Sequence, residues 1–183
     1  TQINPVIKEA MVMLEKAANQ KEGLSGLRTG FEGLDKMTSG WQNSDLIIIA
    51  ARPAMGKTAF VLSMAKNMAV NHNTPVALFS LEMSNVQLVN RLIVNVCEIP
   101  GEKIKSGRLE NNEWEQLDFK IKELYDAPIY VDDTPSLSVF ELRTKARRLV
   151  REHGIKIIII DYLQLMNASG MSFGSREQEV STI

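Results

Sequence analysis

The stretch Ala50-Ala51-Arg52-Pro53-Ala54-Met55-Gly56-Lys57-Thr58 constrains this chain more than any other. It follows an apolar run, Leu46-Ile47-Ile48-Ile49, which reads as a buried strand, and precedes an amphipathic helical pattern that begins near Lys57. Strand, tight loop, Gly-Lys-Thr and helix in that order describe a phosphate-binding loop. Backbone N–H groups of the loop and of the helix N-terminus converge on one small volume, and the helix dipole favours an anion there. Lys57 adds a point charge for the β- and γ-phosphates, and Thr58 offers a hydroxyl to Mg²⁺. Ala51 stands where the usual pattern opens with glycine. Alanine serves there if its φ stays negative.

The 183 residues suffice for one domain with a real core. Apolar residues make up 44% and charged residues 23%, the balance of a globular chain that folds in water. No apolar run approaches ~20 residues, so no membrane span is expected. The first residues lack a basic region followed by an apolar one, so no secretion signal is expected, and the localisation read from this is cytoplasmic. Cys97 is the single cysteine, which excludes an internal disulfide and fits a reducing compartment. A net charge of -1 does not demand a nucleic-acid partner, although a local basic stripe is compatible with a neutral total.

Residues 1–20 read as a helix with Asn4 as N-cap, Pro5 as its first helical residue, and an apolar stripe of Ile3, Val6, Ile7, Ala10, Met13, Leu14 and Ala17. Gly23 stops it. Such a stripe packs either on its own domain or on a neighbouring subunit. The segment from Gly23 to Gly40 is rich in turn residues, with Phe31 and Leu34 anchoring a short helical turn. Strands are then expected at Leu46–Ala50, Val76–Ser80, Ile129–Asp132 and Lys156–Asp161, the last with four consecutive isoleucines. Helices are expected from Lys57 to about Asn71, from a Ser84/Gln87 capping box to about Val96, from Asn112–Glu115 to Tyr125, and from a Ser138/Glu141 capping box to Gly154. Pro100 and Gly101 read as punctuation. Strands apolar on both faces, alternating with helices, give an α/β class with a mostly parallel sheet flanked by helices.

In such sheets ligands sit at the carboxyl ends of the strands. The first strand ends in the loop just described, the second in Ser80-Leu81-Glu82, the third in Asp132-Asp133 and the fourth in Asp161. One phosphate loop and three acidic strand ends describe a nucleoside triphosphatase pocket for ATP and Mg²⁺. Asp161, after Ile157–Ile160, fits a Walker B aspartate that holds Mg²⁺ together with Thr58. Tyr162, not a glutamate, follows it, so a base that orients the attacking water must come from elsewhere. Glu82 is the first choice, and Asp132 or Asp133 the second. In the last helix Phe140, Leu142, Ala146, Leu149 and Val150 are the expected buried side. Arg143, Lys145, Arg147, Arg148 and Arg151 form either a solvated face, a subunit interface or a phosphate-backbone contact. His72 and His153 are isolated, and no Cys/His spacing suggests zinc.

Four blocks together carry a resemblance. They are Gly30-Phe31-Glu32-Gly33-Leu34-Asp35 with Gly40; the loop from Ala50 to Thr58; Phe79-Ser80-Leu81-Glu82-Met83-Ser84; and Asp161-Tyr162-Leu163-Gln164-Leu165-Met166. In this order they resemble the bacterial replicative DNA helicases of the DnaB family. The resemblance implies a RecA-like P-loop NTPase domain of a homo-hexameric ring, which translocates 5′ to 3′ on single-stranded DNA and unwinds the duplex at the replication fork. It implies primase and a helicase loader as partners, and no membrane. It assigns the role of catalytic base to Glu82, contacts near the nucleotide to Arg91, and the remaining nucleotide contacts to Ala51, Arg52, Pro53, Ala54, Met55, Gly56, Lys57 and Thr58. The first helix looks like the family's linker helix, so the organisation expected is a linker helix over 1–22 and an ATPase domain over 23–183, incomplete at its C-terminus. The resemblance places the DNA-contacting loops and the arginine finger beyond the position of Ile183.

Two other readings share part of this pattern. A RadA-type or recombinase-type RecA-fold ATPase has the Thr29-Gly30 to Asp35 pattern, but the block from Asp161 to Met166 argues against it. A loader-like scaffold would bind ATP to assemble and hydrolyse little, and Lys57, Thr58, Asp161 and Glu82 argue against that.

Overall fold

Three of the four expected strands pair as a parallel sheet in the computed structural model of the chain, which describes residues 2–19, 26–52 and 55–162. They are β1 (Val76–Ser80), β2 (Ile129–Asp132) and β3 (Ile157–Asp161). The described helices are α1 (Ile3–Ala18), α2 (Glu32–Thr38), α3 (Lys57–Lys66), α4 (Asn85–Cys97), α5 (Gly101–Ser106), α6 (Asn111–Tyr125) and α7 (Val139–His153). The turn after α3, Asn67–Asn71, continues it as a π-helix. The chain divides into two units, Thr1–Ala50 and Ala51–Ile183.

In the second unit β1 is the central strand, in the order β2-β1-β3. Val76 pairs with Ile129 on one side and with Ile157 on the other, and Ser80 pairs with Asp161. All five residues of β1 are buried, as a central parallel strand requires. Side chains alternate across it. Ala77, Phe79 and Leu81 pack with Leu137 and Ile155 and with Val139, Leu142 and Leu149 of α7. Val76 and Leu78 point to the opposite face. A second cluster joins α4, α5 and α6 through Val96, Cys97, Ile99, Ile104, Leu117 and Leu124. Helix α3 is buried along Val61, Leu62, Met64 and Ala65, and Met68 and Ala69 extend that face. Burial raises the pKa of the Cys97 thiol, with the Glu123 charge adding to it, so this cysteine stays a protonated core residue.

The capping signals resolve differently at the two helices where they were expected. At α4 the box is complete: Gln87 N donates to Ser84 Oγ at 3.3 Å, and Ser84 N donates to the Gln87 side chain at 3.0 Å. At α7 the Ser138 hydroxyl accepts from Glu141 N at 3.1 Å, without the reciprocal bond. Left-handed residues at Glu98, Gly107 and Gly154 end α4, α5 and α7.

In the first unit the backbone pairs Leu27 with Trp41 through two 2.8 Å bonds. Gly40 is required there. Its φ is +82°, and a Cβ would lie 2.7 Å from the carbonyl oxygen of Leu27. Asp35 ties the entry of α2 together, accepting from Thr29 N at 2.9 Å and from the Thr29 hydroxyl at 2.7 Å, with both residues buried.

Four sequence expectations are corrected. Residues 46–50 take no regular secondary structure, and Leu46 and Ile48 are exposed. An apolar run supplies side chains to bury, but a strand exists only beside a hydrogen-bonded neighbour, and 46–50 has none among the described residues. Helix α1 begins at Ile3, which makes Asn4 a residue of its first turn and not its cap, and Pro5 its third residue and not its first. The segment after Pro100 forms the short helix α5, because Pro100 fixes an extended φ/ψ ahead of it and its carbonyl accepts from Lys103 N and Ile104 N. Phe140 and Val150 of α7 are exposed, since the core takes the positions of Leu142 and Leu149 instead.

The complete capping box makes one prediction. Ser84→Ala should lower stability by about 1 kcal/mol, within the range of measured N-cap losses. Chemical denaturation read by far-UV circular dichroism measures this, and an unchanged midpoint would show that α4 does not depend on its cap.

Candidate nucleotide-binding site

Because the strands are parallel, Ser80, Asp132 and Asp161 all end at the same edge of the sheet. The helix that carries the Gly-Lys-Thr sequence brings its amino-terminal turn to this edge, where Lys57 and Thr58 contact Asp161. Gly56 precedes α3 with φ +84° and ψ 23°, a conformation natural to glycine and strained for any other residue. No side chain caps α3, so its first-turn N–H groups are left to an anion. Ala51 is not among the residues with positive φ, as its replacement of glycine requires. Ala51, Arg52 and Met55 are exposed around the loop. Pro53 and Ala54 lie outside the described residues.

Lys57 and Thr58 meet Asp161. The Thr58 hydroxyl donates to Asp161 Oδ2 at 3.0 Å, across 103 residues of sequence. The Lys57 ammonium lies 3.4 Å from Asp161 Oδ1 and 4.3 Å from the centroid of the Tyr162 ring. Asp161 is only 3% exposed, and its Oδ1 accepts no hydrogen bond. The Leu81 amide donates to the Asp161 carbonyl at 2.9 Å, which fixes the end of β3 against β1.

This donor set fits Mg²⁺. The ion prefers one or two protein oxygens, with phosphate and water completing its octahedron. A buried carboxylate oxygen without a hydrogen bond, next to a threonine oxygen, is such a partial shell. Among the described residues no three His, Cys, Asp or Glu side chains converge, and a site of this kind needs no such cluster.

The other acidic strand ends differ in environment. Glu82 stands two residues past β1 at the same sheet edge, with an exposed side chain. Asp132 is engaged: Lys145 Nζ donates to its Oδ2 at 2.8 Å and Thr134 N to its Oδ1 at 3.0 Å. Burial pushes its pKa up, but the bonds from Lys145 and Thr134 and the Lys145 charge outweigh burial and hold it below the ordinary carboxylate value. A carboxylate so held is a poor proton acceptor. Asp133 is also used, accepting from Asn85 N at 3.0 Å at the start of α4. Arg91 lies on the exposed side of α4. Sequence reasoning overlooked the contact between Tyr162 and Lys57. The signal available was an aromatic residue directly after Asp161.

A family model for the DnaB-like helicase C terminal domain matches residues 26–183. The chain belongs to this family. It is 46% identical over 181 residues to the replicative DNA helicase DnaB of Geobacillus stearothermophilus, covering 99% of this chain and 40% of that protein. It is 50% identical over 167 residues to the replicative DNA helicase DnaB of a Nostoc species, covering 90% of this chain and 19% of that protein. Among solved structures it superposes on the ATPase domain of G40P with TM-score 0.88 at 34% identity, covering 99% of this chain and 63% of that one. A structure of a DnaB-like replicative helicase and its interactions with primase gives TM-score 0.87 at 34% identity, with 98% and 44% covered. The architecture is thus the RecA-like fold of DnaB-family ATPase domains, and membership of the family implies nucleotide binding. The chain spans 40% of the Geobacillus relative and less of the Nostoc one. Among the described residues no helix is long and apolar enough to cross a membrane.

The Asp132–Lys145 pair makes a pH prediction. A carboxylate with a lowered folded pKa contributes stability above its unfolded pKa and loses it as pH falls through the folded value. Lys145→Met should therefore lower the urea midpoint at neutral pH, and the gap to wild type should narrow as the pH falls through the lowered pKa of folded Asp132. A gap that stays constant with pH would mean that Lys145 acts through packing alone.

Proposed function

We propose that this chain is the ATP-hydrolysing core of a ring-shaped replicative DNA helicase. The observation that carries the proposal is the meeting of Lys57 and Thr58 with the buried Asp161 carboxylate at the carboxyl edge of a parallel sheet. Family membership and the names of the relatives support the same reading.

In the proposed site the residues around 51–58 wrap the phosphates of ATP. The uncapped first turn of α3 donates its N–H groups to phosphate oxygens. Lys57 places its ammonium between the β- and γ-phosphates. Thr58 and Asp161 hold Mg²⁺, which when bound neutralises phosphate charge as a Lewis acid. Glu82 accepts the proton of the attacking water and aims it at the γ-phosphate. Its exposure supports this role over Asp132, whose carboxylate is already committed to Lys145. Arg91 approaches the nucleotide from α4.

The division proposed is a linker helix over 1–22 and the ATPase domain over 23–183. The family match beginning at residue 26 supports that boundary. Ile3, Val6, Ile7, Met13 and Leu14 of α1 are all exposed, which supports docking on a neighbouring copy in a homo-hexamer. The proposed substrates are ATP and duplex DNA, with single-stranded DNA threaded 5′ to 3′. The proposed partners are primase and a loader, in the cytoplasm.

Two experiments on the full-length protein test this. Lys57→Ala should abolish ATPase and unwinding together, whereas Glu82→Gln should keep Mg-ATP affinity within about threefold and lower kcat by roughly 10²–10⁴. Wild-type turnover in Lys57→Ala would sink the site, and a large loss in Asp133→Asn with none in Glu82→Gln would move the base to β2. Deleting residues 1–20 should weaken ring assembly, measured by analytical ultracentrifugation, more than it lowers the melting temperature. A fall in melting temperature with assembly intact would place α1 in the core of its own subunit.

A further inference from the structure

We propose that Lys57 and a divalent cation are alternative partners of the Asp161 carboxylate, and that Tyr162 is the positioning residue that holds Lys57 there. The inference rests on the nucleotide reading above. The Lys57 ammonium is shared between Asp161 Oδ1 at 3.4 Å and the Tyr162 ring face at 4.3 Å. Thr58 serves the other oxygen, Oδ2, at 3.0 Å. Oδ1 is buried and accepts no hydrogen bond, so the ammonium charge is what balances it.

A buried carboxylate that loses its only compensating cation is strongly destabilised. The P-loop role requires the same ammonium to reach the phosphates. Lys57 therefore cannot serve a nucleotide without giving up Asp161, unless another cation replaces it. A metal–nucleotide complex meets both demands at once. Its phosphates receive Lys57, and its cation becomes the new partner of Asp161. Nucleotide without metal must draw Lys57 off the aromatic face and leave Asp161 unbalanced. The site thereby selects the metal complex over free nucleotide. Tyr162 sets part of the resistance, because an ammonium over an aromatic face is held by the ring quadrupole. That contact needs the ring and not the phenol hydroxyl.

Calorimetry on the full-length protein tests this, using a non-hydrolysable ATP analogue with Mg²⁺ and, separately, with EDTA. Tyr162→Leu should tighten binding about three- to tenfold in both arms, the weight of one cation–π contact. Tyr162→Phe should match wild type. Asp161→Asn should tighten the metal-free arm and weaken the Mg²⁺ arm, because an amide needs no cation. If Tyr162→Leu does not fold, Asp161→Asn carries the test. Unchanged or weaker metal-free binding in Asp161→Asn overturns the inference, as does a Tyr162→Phe that behaves like Tyr162→Leu. Wild-type binding of the Mg²⁺ complex with equal metal-free affinities across the variants overturns this inference alone. No binding of the Mg²⁺ complex by wild type overturns the nucleotide reading and this inference with it.

Discussion

A carboxylate buried at the end of an apolar strand is tolerable only where cations and donors surround it. Asp161 occupies such a place, and the surrounding structure is arranged around it. The isoleucines of β3 bring it to the sheet edge, and pairing with β1 fixes its register. A slip of one residue would turn every side chain of β3 to the other face and carry the carboxylate away from α3. Lys57 and Thr58 then supply the charge and the hydroxyl from a distant part of the sequence. The contact therefore joins the P-loop helix to the sheet.

Three acidic groups end strands at this edge, and their surroundings separate what they can do. Asp161 is buried with a cation and an open lone pair, which suits metal. Asp132 is held ionised by Lys145 and Thr134, and in this state it locks the end of β2 to α7. Glu82 is exposed beyond β1. A group that must exchange protons with water needs access to it and freedom from a permanent partner, and of the three Glu82 comes nearest to both conditions. Chemically similar residues are thus assigned by environment and not by side-chain type.

The sheet was legible because β1, β2 and β3 are apolar runs closed by polar residues, a pattern with few other solutions. Their strand ends carried the site with them, so Asp161, Glu82 and Thr58 could be named from spacing. The run at 46–50 has the same composition, yet composition does not report whether a pairing partner is present. Phe140 and Val150 were misplaced for a related reason. With apolar residues at 139, 140, 142, 146, 149 and 150, α7 offers two adjacent stripes, and only contact with Ala77 and Phe79 selects between them. The Lys145–Asp132 pair was illegible because a lysine within a run of basic residues looks solvated until the strand opposite it is known. Tyr162 was read only as the absence of a glutamate after Asp161, because its contact with Lys57 is made through the ring face and depends on where the P-loop helix meets β3.

The helix starts show how function overrides local preference. Helices α4 and α7 open on serine hydroxyls that satisfy their free amides. Helix α3 opens on a left-handed glycine with no side-chain cap, followed by a β-branched threonine in its first turn. As a stand-alone helix this is a poor beginning, since each free amide forgoes a partner that a serine would provide. In α3 the uncapped first turn lies at the carboxyl edge of the sheet, where Lys57 and Thr58 meet Asp161. A serine cap there would satisfy the amides and remove the anion site. Stability lost at the start of α3 is recovered through the buried face of Val61, Leu62, Met64 and Ala65, so packing along the helix body holds open a terminus that capping would close.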